Sequence, residues 1–336
     1  MKKMIKATLA LATVCALGAT AGTLDTVKKA GHLKCGVSTG LPGFSEVGAD
    51  KKWKGLDVDV CRAVAAATLG DASKVKYVPL TAKERFTALQ SGEIDMLSRN
   101  TTWTNTRDAS LGLNFTGVTY YDGQGFLVST RIGVNSAKEL DGASVCIQAG
   151  TTTELNLADY FKANDMKYKA ITYDTSDQTR NGFESGRCDV LTSDASQLYS
   201  IRTTLKKPSS AMVLPEIISK EPLGPVVRQG DDAWFNVVRW SFVAMLNAEE
   251  LGVTSKNAKK MKKSKNPSIQ RLLGVNGKTG ENLGLSSDWA YNIVSQVGNY
   301  AQSFERNVGK DSPLKISRGQ NALWKDGGLH YGPPIR

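Results

Sequence analysis

Leu89-Gln90-Ser91-Gly92-Glu93-Ile94-Asp95-Met96-Leu97-Ser98 and Phe183-Glu184-Ser185-Gly186-Arg187-Cys188-Asp189-Val190-Leu191-Thr192 share one pattern. Both read apolar, polar, Ser, Gly, two variable positions, Asp, apolar, Leu, hydroxyl. In each, a helical stretch (83–91 and 179–185) stops at a glycine, and a short apolar strand (94–98 and 188–192) follows. Ahead of the first copy lie a strand at 33–37, a helix carrying Val58, Val60, Cys61, Val64 and Ala65, and a strand at 75–79. Ahead of the second lie a strand at 144–148, a helix opened by Gly150-Thr151-Thr152-Thr153-Glu154, and a strand at 168–173. Thr151 and Glu154 have the spacing of a capping box. Strand alternating with helix predicts an α/β fold with a parallel sheet, here twice over.

Two such lobes face to face would hold a small ligand between the carboxyl ends of their strands. Asp122–Ser129 and Glu221–Arg228 are extended, bear glycines and flank the second series, so they read as two crossings between the lobes. Lobe 1 is then 22–125 with 225–336, and lobe 2 is 126–224. Residues 234–251 read as an amphipathic helix.

Composition limits the chemistry. The chain has 336 residues, 40% hydrophobic and 22% charged, enough to bury an ordinary core. The only histidines are His32 and His330, near opposite ends, which argues against a His-based metal site or triad, and no cofactor or metal is expected. The net charge is +11, and +8 once Lys2, Lys3 and Lys6 are set aside. The lysines at 256, 259, 260, 262, 263 and 265 form a basic cluster, read as a solvated helix end. Aromatics are not interleaved with it, so nucleic acid is not an expected partner.

Met1–Lys6 is basic, 7–17 is a short apolar run, and Ala19-Thr20-Ala21 fits an A-x-A cleavage site. This predicts a signal peptide at 1–21, cleaved after Ala21, and an exported protein. Val14 before Cys15 does not suit a lipidation site. The remaining cysteines, Cys35, Cys61, Cys146 and Cys188, are even in number, as for disulfides in an exported chain. Three pairings are possible; Cys35–Cys61 and Cys146–Cys188 are favoured because each stays within one lobe.

Gly36-Val37-Ser38-Thr39-Gly40 matches a nucleophile elbow in letters only, since Leu41-Pro42-Gly43-Phe44 follows where a helix is required. Two charged residues fit better. Arg107 follows the polar run 100–106 after the first lobe's strand, and its planar fork suits a carboxylate. Asp194 follows the equivalent strand of the second lobe and could receive an ammonium group. The helix opening near Thr151 adds free N–H groups for an anion. The complementary ligand is a zwitterion.

These residues resemble a known family. Trp53-Lys54-Gly55-Leu56-Asp57-Val58-Asp59, Ser98-Arg99-Asn100-Thr101-Thr102-Trp103-Thr104 through Arg107-Asp108, Tyr120 through Phe126, Gly150-Thr151-Thr152, Ser193-Asp194, Gly298-Asn299-Tyr300 and Asn321-Ala322-Leu323-Trp324 are similar to periplasmic amino-acid-binding proteins of ABC importers, solute-binding protein family 3. The general L-amino acid-binding subgroup is the nearer likeness. The resemblance implies a type II periplasmic-binding fold that closes on its ligand by a hinge. It implies that Arg107 binds the α-carboxylate with the Thr152 N–H and Thr102 hydroxyl, and that Asp194 takes the α-ammonium assisted by Asn100. It places Phe44 over the ligand side chain, and Ser38 and Arg85 where relatives read that side chain. Leu41 stands where relatives often carry a second aromatic, which fits loose selectivity.

The implied function is a receptor, without catalysis, that delivers L-amino acids, polar, acidic and amide ones included, to membrane permease subunits. A monomer is expected. Two alternatives remain: a periplasmic dehydratase of the cyclohexadienyl type on the same fold, and a sensor that signals through a chemoreceptor.

Overall fold

The structure, a computed structural model, describes residues 22–336, so the expected signal peptide and its cleavage site lie outside it. Two five-stranded sheets organise the chain. In the first, the strands run in the order Val75–Leu80, Leu33–Ser38, Met96–Leu97, Val226–Arg228, Leu113–Phe115. In the second the order is Lys169–Tyr173, Ser144–Gln148, Val190–Asp194, Gln124–Ser129, Ala211–Val213. Each sheet has a parallel core of three strands. Each is completed by antiparallel strands, so the expected parallel strands form the core of a mixed sheet. A strand arriving from the other half of the chain enters each sheet as its fourth member, which forces the antiparallel pairing.

The two copies of the repeat fold alike. Helix Arg85–Gln90 and helix Ser176–Glu184 each end just before a left-handed glycine, Gly92 at φ 81° and Gly186 at φ 74°. Strands Met96–Leu97 and Val190–Asp194 follow, both fully inside their sheets. The chain passes between sheets at Tyr120–Asp122 and returns at Glu221–Leu223, and these segments pair antiparallel as a two-stranded ribbon. Gln124 and Gly125 hydrogen-bond in register with Asp194 and Ser193, so they already belong to the second sheet rather than to lobe 1.

Helix Leu56–Leu69 lies on the first sheet, and two acids in its first turn face different ways. Asp59 accepts Ser303 Oγ at 2.7 Å, Arg306 Nε at 3.1 Å and Asn307 Nδ2 at 2.7 Å, tying this helix to Tyr300–Asn307 near the C-terminus. Asp57 points toward the strand ends. Gly55 precedes them at φ 132°, where a side chain would run into the carbonyl of Phe44. The C-terminal segment also grips the ribbon: Asn321 accepts the Tyr121 N–H at 2.7 Å and donates to its carbonyl at 3.0 Å. The helix expected at 234–251 spans Asp232–Glu250 and packs in the first lobe's core with Trp289, Tyr300 and Phe304. The lysine cluster falls on the short helix Ala258–Met261 and its flanks, where Lys262 pairs with Asp288 at 2.7 Å. No helix among the described residues is long and apolar enough to cross a membrane.

Two disulfides are present, Cys35–Cys61 and Cys146–Cys188, closing loops of 26 and 42 residues. Each pins a sheet strand to an adjoining segment of its own lobe, at Cα separations of 6.1 and 5.7 Å. Loops of this length stabilise by about 3–4 kcal/mol through the unfolded chain's lost entropy. Replacing Cys146 and Cys188 together by serine is expected to lower the unfolding free energy by about this amount in urea titration; no change would show that the bridge contributes no stability.

Candidate functional site

The strand ends of the two sheets face one another, and several contacts join them. Arg85 Nη2 donates to the carbonyl of Gly150 at 3.3 Å, Asn100 Nδ2 to Gln197 Oε1 at 3.4 Å, and Ser200 Oγ to the carbonyl of Pro42 at 3.0 Å. Lys83 and Asp174 form an exposed ion pair at 2.7 Å. The lobes are therefore closed on each other.

On the first lobe the cleft is cationic. Arg107 sits in helix Asn105–Ser110, whose N-cap Thr104 accepts the Arg107 N–H. Its guanidinium donates to the carbonyl of Thr102 at 2.9 Å and lies 5.3 Å from the Phe86 ring. Arg85 is 2% exposed, bonds only the neutral oxygens of Thr101 and Gly150, and leaves its Nε without an acceptor. Arg99, also buried, donates to the Leu80 carbonyl at 2.9 Å. Among the described residues none of these three arginines makes a salt bridge. Burial holds all three below the usual guanidinium range; repulsion from Arg99 and Arg107 adds to it at Arg85 and repulsion from Arg107 at Arg99, while Glu221 and Asp194 act the other way on Arg107. Asp57 partly offsets Arg99, and its own carboxyl is pushed up to about 7 by burial despite accepting the Asn100 N–H.

On the second lobe and the ribbon the cleft is acidic. Asp194 ends strand Val190–Asp194 and opens helix Ala195–Thr204, 7% exposed. Among the described residues its carboxylate accepts no hydrogen bond. Burial raises its carboxyl well above the usual range, the neighbouring Asp122 and Glu221 raise it further, and Arg85 and Arg107 pull the other way. Asp122 is held by Ser196 and the Gly123 N–H, and burial raises it too.

Sequence reading placed Glu221 at the start of a crossing between the lobes but gave its side chain no role in the site. It is 1% exposed in the ribbon and accepts four donors from three segments. Thr102 Oγ1 at 2.6 Å and Thr152 Oγ1 at 2.9 Å reach one oxygen; Asn156 Nδ2 at 2.6 Å and Ser219 Oγ at 2.7 Å reach the other. This corrects the role expected of the Thr102 hydroxyl. A hydroxyl has one proton, and here it is given to Glu221, so toward a ligand carboxylate it presents only lone pairs. What remains free is backbone: among the described residues nothing accepts the N–H of Thr102 or of Thr152. The expected capping box is absent for the same functional end. Thr151 Oγ1 turns back to the Gln148 carbonyl at 2.7 Å and Glu154 accepts the Gly150 N–H, leaving the first turn of helix Thr152–Ala163 uncapped by side chains.

Other expected residues fare differently. Asn100 lies at the cleft in a left-handed conformation, φ 28°, bridging Asp57 and Gln197. Ser38 ends strand Leu33–Ser38, 3% exposed. Phe44 is a core residue: 1% exposed, edge-on to Tyr120 at 5.3 Å, within the first lobe's apolar cluster. Packing accounts for its ring, so the expected stacking on a ligand is withdrawn. Arg99, Asp57, Asp122 and Gln197 join the site unforeseen; Arg99 had a signal, standing inside the same polar run as Asn100.

The sequence profile of the bacterial extracellular solute-binding proteins, family 3, matches residues 33–258. The chain belongs to this family. YhdW of Escherichia coli K12 is 62% identical across the whole of both chains. The general L-amino acid-binding periplasmic protein AapJ of Rhizobium johnstonii is 56% identical over 100% of both, and the glutamate/glutamine/aspartate/asparagine-binding protein BztA of Rhodobacter capsulatus is 53% identical over 98% of this chain and 97% of its own. A solved periplasmic binding protein of Brucella ovis with glutathione bound superposes with a TM-score of 0.92 at 56% identity, covering 94% of this chain and 100% of its own. The architecture is accordingly the type II periplasmic-binding fold of this family.

Removing the Glu221 carboxylate would strand four donors, the Thr102 hydroxyl buried and the other three half-buried. Hydrogen bonds to a charged group contribute ~1.5–3 kcal/mol each, partly recovered by water. Glu221→Ala is expected to destabilise the protein by about 3 kcal/mol or more in chemical denaturation, and Glu221→Gln by less; an Ala variant as stable as wild type would remove Glu221 from its bridging role.

Proposed function

We propose that the protein captures L-amino acids between its lobes in the periplasm and passes them to the membrane permease of an ABC importer. The observation that carries this is the buried Asp194 carboxylate without a hydrogen-bond partner, in a closed cleft that also presents Arg107 and two free backbone N–H groups. A buried charge left unmatched costs several kcal/mol. An α-amino acid supplies both missing partners from one carbon. Its carboxylate meets Arg107 and the N–H groups of Thr102 and Thr152; its ammonium meets Asp194, with Asn100 beside it. The side chain is read by Ser38 and Arg85, with Arg99 close by. Three arginines face one α-carboxylate, which favours ligands with a second anion or an amide oxygen. The names of AapJ and BztA fit this spectrum.

Because both lobes contribute contacts to the same ligand, ligand stabilises the closed form by differential affinity. The closed form then docks on the permease as a monomer, and reopening releases the amino acid. A dehydratase would need Asp194 to deliver a proton; in the receptor it is held ionised by the ammonium. Incubation with prephenate, with no product formed, is the expected result.

Arg107→Ala and Asp194→Ala are each expected to weaken amino-acid binding at least tenfold in calorimetry with the fold intact; normal binding by either would refute the assignment. The raised Asp194 carboxyl also sets a sign. The empty cleft favours its protonated form and the ligand ammonium favours the ionised one, so binding releases protons. Affinity should fall as pH drops through the raised value and be retained above it. Calorimetry in buffers of different ionisation enthalpy measures the released proton; uptake of a proton would contradict this reading.

A further inference from the structure

A second cavity opens between the lobes beside the site. It holds about 210 Å³ and is bounded by Leu41, Pro42 and Glu46 from the first lobe and Ser176, Arg180 and Thr204 from the second. Two hydrogen bonds link it to the amino-acid site: Asn100 donates to Gln197 at 3.4 Å, and Gln197 donates to Ser176 Oγ at 3.1 Å. Leu41, where the family often places an aromatic ring, leaves this space unfilled. Arg180 is loosely held. Its terminal nitrogens reach Asp177 and Thr204 at 3.5 Å and Asn181 at 3.3 Å, and its buried Nε has no acceptor. Of the two carboxylates nearby, Glu46 is engaged by Lys54 at 3.4 Å and Asp177 is turned largely to solvent.

We propose that this cavity is a subsite for the far end of an extended ligand, with Arg180 binding a distal carboxylate. The inference rests on the amino-acid reading above, which fixes the linkage. Asp194 and Arg107 require the ammonium and carboxylate of one α-carbon to be free. A peptide joined through its α-carboxyl lacks that pair, so any extension must leave through the side chain. The ligand class is therefore side-chain-linked small peptides, γ-glutamyl peptides foremost, with Gln197 as the wall the chain passes.

Calorimetry on refolded protein with L-glutamine, γ-L-glutamylglycine and the α-linked L-alanylglycine tests this. Wild type is expected to bind the first two and not the third. Arg180→Gln should weaken γ-glutamylglycine at least tenfold while changing L-glutamine less than threefold. Leu41→Phe, which narrows the cavity, should raise the ratio of the γ-glutamylglycine to the L-glutamine dissociation constant at least fivefold. Wild type that binds L-glutamine but not γ-glutamylglycine overturns the subsite and leaves the amino-acid reading standing, as does an Arg180→Gln variant with unchanged γ-glutamylglycine affinity. Binding of neither ligand, or equal binding of L-alanylglycine, overturns the amino-acid reading and the subsite with it.

Discussion

A carboxylate that accepts no hydrogen bond from the described residues, shut into a cleft whose far wall carries arginines bonded only to neutral oxygens, is the condition around which the molecule is built. Asp194 and Arg107 make no ion pair with each other; Asp194 is buried, Arg107 is half-buried, and burial disfavours the charge on both. Burial makes both charges costly, and in the function proposed above a zwitterion of the right span removes that cost. The remaining features place these two groups and keep intervening donors and acceptors from quenching them.

Glu221 shows how that is done. By taking the hydroxyl protons of Thr102 and Thr152 it removes two donors from the carboxylate corner but fixes the segments whose N–H groups remain. It sits on the ribbon where the lobes pivot, so it touches the first lobe through Thr102 and the second through Thr152 and Asn156. The C-terminal segment restrains the same pivot from outside, with Asn321 pairing to the Tyr121 backbone and the Tyr300 hydroxyl donating to the Thr119 carbonyl at 2.8 Å. Residues 259–336 lie beyond the stretch matched by the family profile, yet they pack into the first lobe and brace its hinge.

Much of this could be read from the sequence, and the reason is local. A helix ending at a glycine before a buried strand is written within ten residues, so the repeat at 89–98 and 183–192 disclosed two α/β lobes. Asp194 stood out as a candidate because it closes the second lobe's strand, and Arg107 because it follows the polar run after the first lobe's strand. Long-range partnerships were not legible. Glu221 meets Thr102 from 119 positions away, and the start of an extended crossing gives no sign of that partner. The capping box at Thr151 failed because spacing cannot say that the hydroxyl prefers the Gln148 carbonyl behind it. Phe44 was misplaced because an aromatic near a strand end serves core or ligand alike until packing decides. The antiparallel fourth strand in each sheet is likewise a pairing between distant segments, invisible to local periodicity.

The recognition of both ends of a zwitterion is tested most directly by thermal unfolding of refolded protein with L-amino acids, their D-isomers, and counterparts lacking either the α-ammonium or the α-carboxylate. A ligand at ~100 times its dissociation constant adds roughly 2.7 kcal/mol, a shift of a few degrees. The account predicts that several L-amino acids produce this shift while the D-isomers and both truncated sets do not. A full shift with compounds lacking the ammonium would mean that Asp194 is not where the ligand is held.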